Sequence, residues 1–288
     1  VGDSRTPFCI LAVSGAANAG LDLLFVAAWD MSAPGAALAT VLAQGLSAAL
    51  ALMVLVRQQA AYRLSPRRLR FDRAVLGKIF TIGLPMALQS VLYPISNMTV
   101  QAAVNQTGTD NIVAWALCGK LDFLIWLAAD SFAAAIATFV AQNYGAGQGE
   151  RCRKGVRIGL GMILAVIIFI SAILFLWSEP LGRLILNSAD APIAGVTGRL
   201  MRLMAPLYFL YVFGEVFAGA IRGQGESLRP MVITLLGTCA TRVLWIWLVP
   251  HNHQLLAILA VYPVSWAVTS LAFTIYYHLF RDHTKVRT

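Results

Sequence analysis

Apolar positions in this chain come in long unbroken runs, not in the mixed stripes of a water-facing fold. Ile79–Thr109 holds no charged residue, and Val156–Trp177 holds only Arg157. About 20 apolar residues in a helix cross the hydrocarbon core of a bilayer. Backbone polar groups must be paired inside lipid, so a helix or a closed barrel is required. A barrel needs short alternating segments, which these continuous runs exclude. The pattern predicts an all-α, polytopic membrane protein with eight transmembrane helices, at about 7–28, 34–56, 79–104, 111–140, 156–177, 193–220, 230–249 and 255–279. Pro85, Pro94, Pro206 and Pro263 fall inside spans and are expected to kink them. Trp29, Trp177, Trp245 and Trp247 stand near span ends, where they read as interface anchors.

Composition agrees. Of 288 residues 59% are hydrophobic and 12% charged, about half the charge of a soluble domain. The net charge of +9 acquires a meaning only from its placement. Arg5, the run Arg57–Lys78, the run Arg151–Arg157, Arg222, Arg229 and the tail Arg281–Arg287 fall on alternate connections and hold 17 of the 22 basic residues. The intervening connections hold only Arg183. The positive-inside rule puts the basic set, and with it both termini, in the cytoplasm. The Arg57–Arg73 stretch carries Tyr62 and Phe71 but no nucleic-acid recognition fold, so the expected partner is the lipid bilayer and not nucleic acid. Cys9, Cys118, Cys152 and Cys239 are scattered and read as free thiols.

An internal repeat fixes the organisation. A shift of 223 residues superposes Gly2 on Gly225, Asp3 on Glu226, Ser4 on Ser227 and Pro7 on Pro230, with Ile10/Ile233, Ala17/Ala240, Leu21/Leu244 and Val26/Val249 following. Each copy opens a span on the basic side and is followed by two spans. Six spans separate equivalent points, so the copies run in parallel, as in transporters built from two halves. The expected domains are 1–56, the last two helices of one lobe; 57–73, a cytoplasmic linker; and 74–288, a complete six-helix lobe with its tail. By the same offset, roughly 150 residues forming four spans are expected upstream.

Signature segments then stand in order: Gly83-Leu84-Pro85, Phe139-Val140-Ala141-Gln142-Asn143-Tyr144-Gly145-Ala146-Gly147, and Ile221-Arg222-Gly223-Gln224-Gly225-Glu226-Ser227 with Pro230. Gly119-Lys120-Leu121-Asp122 with Trp126 lies between the first two. In order, spacing and topology the chain resembles the multidrug and toxic-compound extrusion (MATE) family. The resemblance implies a two-lobe, six-plus-six helix transporter that exports organic, often cationic, compounds in exchange for H⁺ or Na⁺. It implies a monomer in the cytoplasmic (inner) membrane and no cofactor beyond the coupling ion. The alternatives are a lipid-linked oligosaccharide flippase of the same superfamily, with a more basic cavity, and a truncated, non-transporting paralogue.

Ionisable residues inside spans are costly and mark candidate sites. Asp22 lies within the first span with Asn18 one turn before it, on one helical face, and Thr40 lies in the next span. Their oxygens suit a proton or Na⁺. Family members with an N-lobe cation site use an Asn-x-x-x-Asp pair with a Thr eighteen residues later, which Asn18, Asp22 and Thr40 match in spacing; the main acid there lies on the lobe's first helix. For the substrate pathway the candidates are Lys120, Asp122, Glu215 and Arg242, joined by the aromatics Trp126 and Tyr211, with Asp130, Phe132 and Tyr208 nearby. Glu215 is expected to pair with Arg242 or Lys120, the choice being open. Family members with a C-lobe Na⁺ site carry acids near the places of Tyr93 and Tyr211, so no such site is expected here. His251 and His253 are too few for a metal site, and none is expected. No GxxxxGK[ST] sequence and no nucleophile–base constellation occur, so the chain is expected to be neither an ATPase nor another enzyme.

Overall fold

The computed structural model describes residues 2–59, 63–68, 70–186, 191–249 and 254–280. His251, His253, Tyr62 and the basic tail from Arg281 lie outside the described residues. Eight helical spans are long and apolar enough to cross a membrane: Arg5–Ala28, Ser32–Arg57, Arg73–Val104, Thr109–Gly145, Gly149–Ile185, Pro192–Gly223, Leu228–Leu248 and Leu255–Leu279. They coincide with the eight predicted from hydropathy, and among the described residues there is no strand. Large apolar side chains cover their outer faces; Leu184 and Trp247 are 83% and 84% exposed. Such surface is stable against lipid and not against water.

The chain divides into two compact units, Val1–Arg73 and Ala74–Thr288. The first holds α1 (Arg5–Asp22), continued as a π-helical turn over Leu23–Ala28, and α2 (Ser32–Arg57). Asp30 and Ser32, with φ of 51° and 50°, make the turn between them. After α2 the chain folds back on the helix end: Leu64 N donates to Leu55 O and Arg63 Nε to Val56 O, both at 3.0 Å.

The second unit holds α3 (Arg73–Val104), α4 (Thr109–Leu121), α5 (Phe123–Gly145), α6 (Gly149–Ile185), α7 (Ala191–Met204), α8 (Tyr208–Gly223), α9 (Leu228–Thr234), α10 (Thr241–Leu248), α11 (Leu255–Leu259) and α12 (Val261–Phe280). Four of its spans are broken. Asp122 separates α4 from α5, a 3₁₀ turn over Ala205–Leu207 separates α7 from α8, a π-helical turn over Leu235–Ala240 joins α9 to α10, and Ala260 separates α11 from α12. Pro206 sits in the 3₁₀ turn, as a missing amide donor dictates. Pro263 departs from expectation: it lies in the first turn of α12, where amides have no intrahelical partner, and starts a helix instead of kinking one. Pro85 and Pro94 are carried within α3 without ending it.

The core of this unit forms where α5, α6, α8 and α12 meet, around Ile125, Ile163, Ile167, Tyr208, Trp266 and Phe273. Glycines set the spacing of α8 against α5. A Cβ on Gly219 would lie 2.6 Å from the Ala133 carbonyl oxygen, and one on Gly223 2.5 Å from that of Ala137. Ser270 fastens α12 to α8: its hydroxyl donates to the Leu210 carbonyl and accepts from Gly214 N at 3.0 Å. The repeat is also visible locally. Gly2 and Gly225 share a left-handed backbone, φ 88° and 86°, and Ser4 and Ser227 each stand at the N-cap of the following helix.

Candidate functional site

Three polar stripes in the second unit converge on one cavity of about 750 Å³. Each follows the four-residue spacing that puts side chains on one helical face. Asp122, Trp126 and Asp130 descend from the α4–α5 break; Tyr211 and Glu215, then Arg222, run along α8; Gln89, Tyr93, Asn97 and Gln101 run along α3. Trp115 and Tyr262 add further aromatic wall.

Asp122 occupies the break itself. Its Oδ2 accepts a hydrogen bond from Tyr208 Oη at 3.1 Å, while its Oδ1 is buried without a partner among the described residues. An aromatic cluster adjoins it. Trp126 meets Tyr211 edge-on at 4.6 Å between ring centroids and Trp266 at 5.6 Å, and Tyr208 lies 5.5 Å from Trp266. Glu215 pairs with Arg222, Oε2 to Nη2 at 3.5 Å. Three carboxylates therefore line the cavity against one guanidinium, with aromatic faces between them. This suits an organic cation, which gains from both carboxylates and ring faces.

The predicted residues sort by position. Asp122, Trp126, Tyr211 and Glu215 line the cavity together. Lys120 does not: it is exposed, apart from the lining. Neither Lys120 nor Arg242 is the partner of Glu215, because Arg222 is close enough to take that place on the same helix. Arg242 lies behind the wall, fully buried. It donates to Asn97 Oδ1 and, through Nε, to Ser265 Oγ at 3.2 Å, and its guanidinium carbon stands 5.1 Å and 4.5 Å from the ring centroids of Tyr93 and Tyr262. Among the described residues it has no carboxylate partner, and its Nη2 is unpaired. The stripe Gln89–Asn97–Gln101 escaped the sequence reading, although its spacing in a charge-free span was the available signal. Arg222 escaped it because the positive-inside pattern had already accounted for its charge.

In the first unit, Asn18 Nδ2 and Asp22 Oδ1 are buried without hydrogen-bond partners among the described residues. Thr40 is exposed, and its hydroxyl donates to Ala36 O at 2.9 Å. No hydrogen bond among the described residues joins the three. The four cysteines are unpaired, Cys9 exposed and the others buried.

The fold and the cavity define a multi-pass helical membrane protein with a cavity lined by acidic and aromatic side chains between its spans. Residues 85–248 match the MatE family model, and the chain belongs to that family. The probable multidrug resistance protein YoeA of Bacillus subtilis is 25% identical over 286 residues, 96% of this chain and 61% of that protein. The probable multidrug resistance protein YpnP of the same organism is 24% identical over 82% of this chain and 52% of its own length. The structure of a MOP superfamily transporter from Pyrococcus furiosus is similar in fold, with a TM-score of 0.89 at 18% identity, covering 99% of this chain and 64% of that one. The chain thus spans between half and two thirds of the length of these relatives.

Proposed function

We propose that the complete protein carrying this chain is a secondary active antiporter that exports organic cations in exchange for H⁺ or Na⁺ by alternating access. The observation that carries the reading is the cavity, whose lining sets Asp122, Asp130 and Glu215 against Arg222 alone, with aromatic rings between. A cation entering it meets carboxylates and aromatic ring faces together, and both attract it. The same acids disfavour the flippase alternative, which implies a more basic chamber. The names of the relatives as multidrug resistance proteins support export as the direction.

Coupling is assigned to Asp22 with Asn18 and Thr40. Asp22 Oδ1 is buried without a hydrogen-bond partner among the described residues, so a proton or Na⁺ arriving there meets an unused acceptor oxygen, while the atom left unpaired on Asn18 is its amide nitrogen Nδ2, a donor. Charge moving through the membrane potential supplies about 2.3 kcal/mol per 100 mV, and coupling requires that the two access states differ in affinity for ion and substrate. The clustering of basic residues on alternate connections supports a cytoplasmic-membrane protein whose linker and tail face the cytoplasm.

Equilibrium binding of tetraphenylphosphonium to the complete protein in nanodiscs tests the cavity. Removing a carboxylate that pairs with a bound cation costs roughly fivefold or more in affinity. Glu215→Gln and Asp122→Asn are each expected to show that loss with expression intact. Wild-type affinity in both variants would contradict the reading.

A further inference from the structure

Arg222 belongs to the basic set expected at the cytoplasmic ends of spans, where a guanidinium would reach for water and lipid headgroups. Its side chain does something else. It lines the cavity, 23% exposed, with Nη2 turned to Glu215 Oε2 at 3.5 Å. The two residues stand seven positions apart on α8, about 10 Å of helix rise. Side chains on a helix lean toward its N-terminus, so Arg222 folds back along the helix toward Glu215 to make the pair. Asp130, on the facing wall, also lies within the electrostatic reach of Arg222. Among the lining side chains Arg222 is the only cation. The contact is long and both side chains remain partly exposed, so the pair is weak, and it occupies one of the three carboxylates that line the cavity.

We propose that Arg222 is a tethered cation that neutralises Glu215 whenever substrate is absent, so that organic cations enter by displacing it. This rests on the reading of the cavity as an organic-cation site. Arg222 then acts as a positioning and specificity-determining residue. It sets an affinity threshold: a cation binds only where its charge and its contacts with Trp126 and Tyr211 outweigh the resident guanidinium. It also keeps the empty cavity charge-compensated at Glu215 without an inorganic ion, leaving ion coupling to another part of the molecule.

The test is tetraphenylphosphonium binding to the complete protein in nanodiscs, comparing wild type, Arg222→Gln, Arg222→Lys and the Glu215→Gln/Arg222→Gln double variant. Arg222→Gln is expected to bind at least about threefold tighter than wild type, the gain from releasing one weakly paired charge. Arg222→Lys, which keeps the cation, is expected to show less than half of that gain. The double variant is expected to lose it, because the competitor acts through Glu215. A wild type that binds while Arg222→Gln binds equally or more weakly overturns the tethered cation and leaves the cavity reading intact. A gain that persists without Glu215 also overturns it. Absence of binding in every variant refutes both readings together.

Discussion

Arg242 is a fully buried charge with no carboxylate partner among the described residues. Its guanidinium is kept by two ring faces, Tyr93 and Tyr262, and by two neutral oxygens, those of Asn97 and Ser265. A planar, delocalised cation suits that slot, whereas a compact ammonium does not. Arg242→Ala takes the donor from Asn97 Oδ1, leaves Ser265 Oγ only its bond to the Tyr262 carbonyl, and opens a void behind the cavity wall. The expected cost is about 2–5 kcal/mol, seen as a lower melting temperature of the detergent-solubilised protein, with Arg242→Lys recovering little of it. A melting temperature unchanged in Arg242→Ala would show that the buried charge contributes nothing. Legibility in the sequence followed the cost of each residue. Asp122 and Glu215 stood out because a carboxylate in an apolar span is expensive. Asn97 and Gln101 did not, because amides are tolerated at many places in a helix. Arg222 was hidden by a sufficient explanation, since a cation at a cytoplasmic helix end needs no other reason.

Helices were legible as spans and less so as pieces. Length and hydropathy located all eight, because the bilayer imposes both. Of the interruptions, Pro206 announced its own, while the π-helical turn at Leu23–Ala28 carries no glycine or proline and the one at Leu235–Ala240 carries only Gly237. The break at Asp122 has no proline or glycine at its centre, and its significance emerges only with Tyr208 across the gap. Close packing between elements leads to a direct prediction. Gly219→Ala puts a methyl group 2.6 Å from the Ala133 carbonyl oxygen and forces α8 from α5, while Gly161→Ala on α6 meets nothing within 4 Å. Overpacking costs about 1–3 kcal/mol, whereas alanine in an open helix position gains up to about 1 kcal/mol over glycine. Gly219→Ala is therefore expected to lower the melting temperature, and Gly161→Ala to leave it level or raise it. The reverse order would mean that the α5–α8 seam is not closely packed in the membrane.

At the scale of the whole molecule, the two units divide the labour assigned to them. The second carries the cavity proposed to take organic cations, while the first carries Asp22 and Asn18, each with a polar atom unpaired among the described residues. The central claim is that an ion gradient acting through Asp22 drives organic cations across the membrane. Its most direct test is dye transport by the complete protein in proteoliposomes under an imposed pH or Na⁺ gradient, wild type against Asp22→Asn. The account predicts wild-type transport against the dye gradient that stops when the ion gradient collapses, and an Asp22→Asn variant that binds dye yet cannot accumulate it. Transport by wild type that is indifferent to both gradients, or undiminished coupled transport by Asp22→Asn, would contradict it.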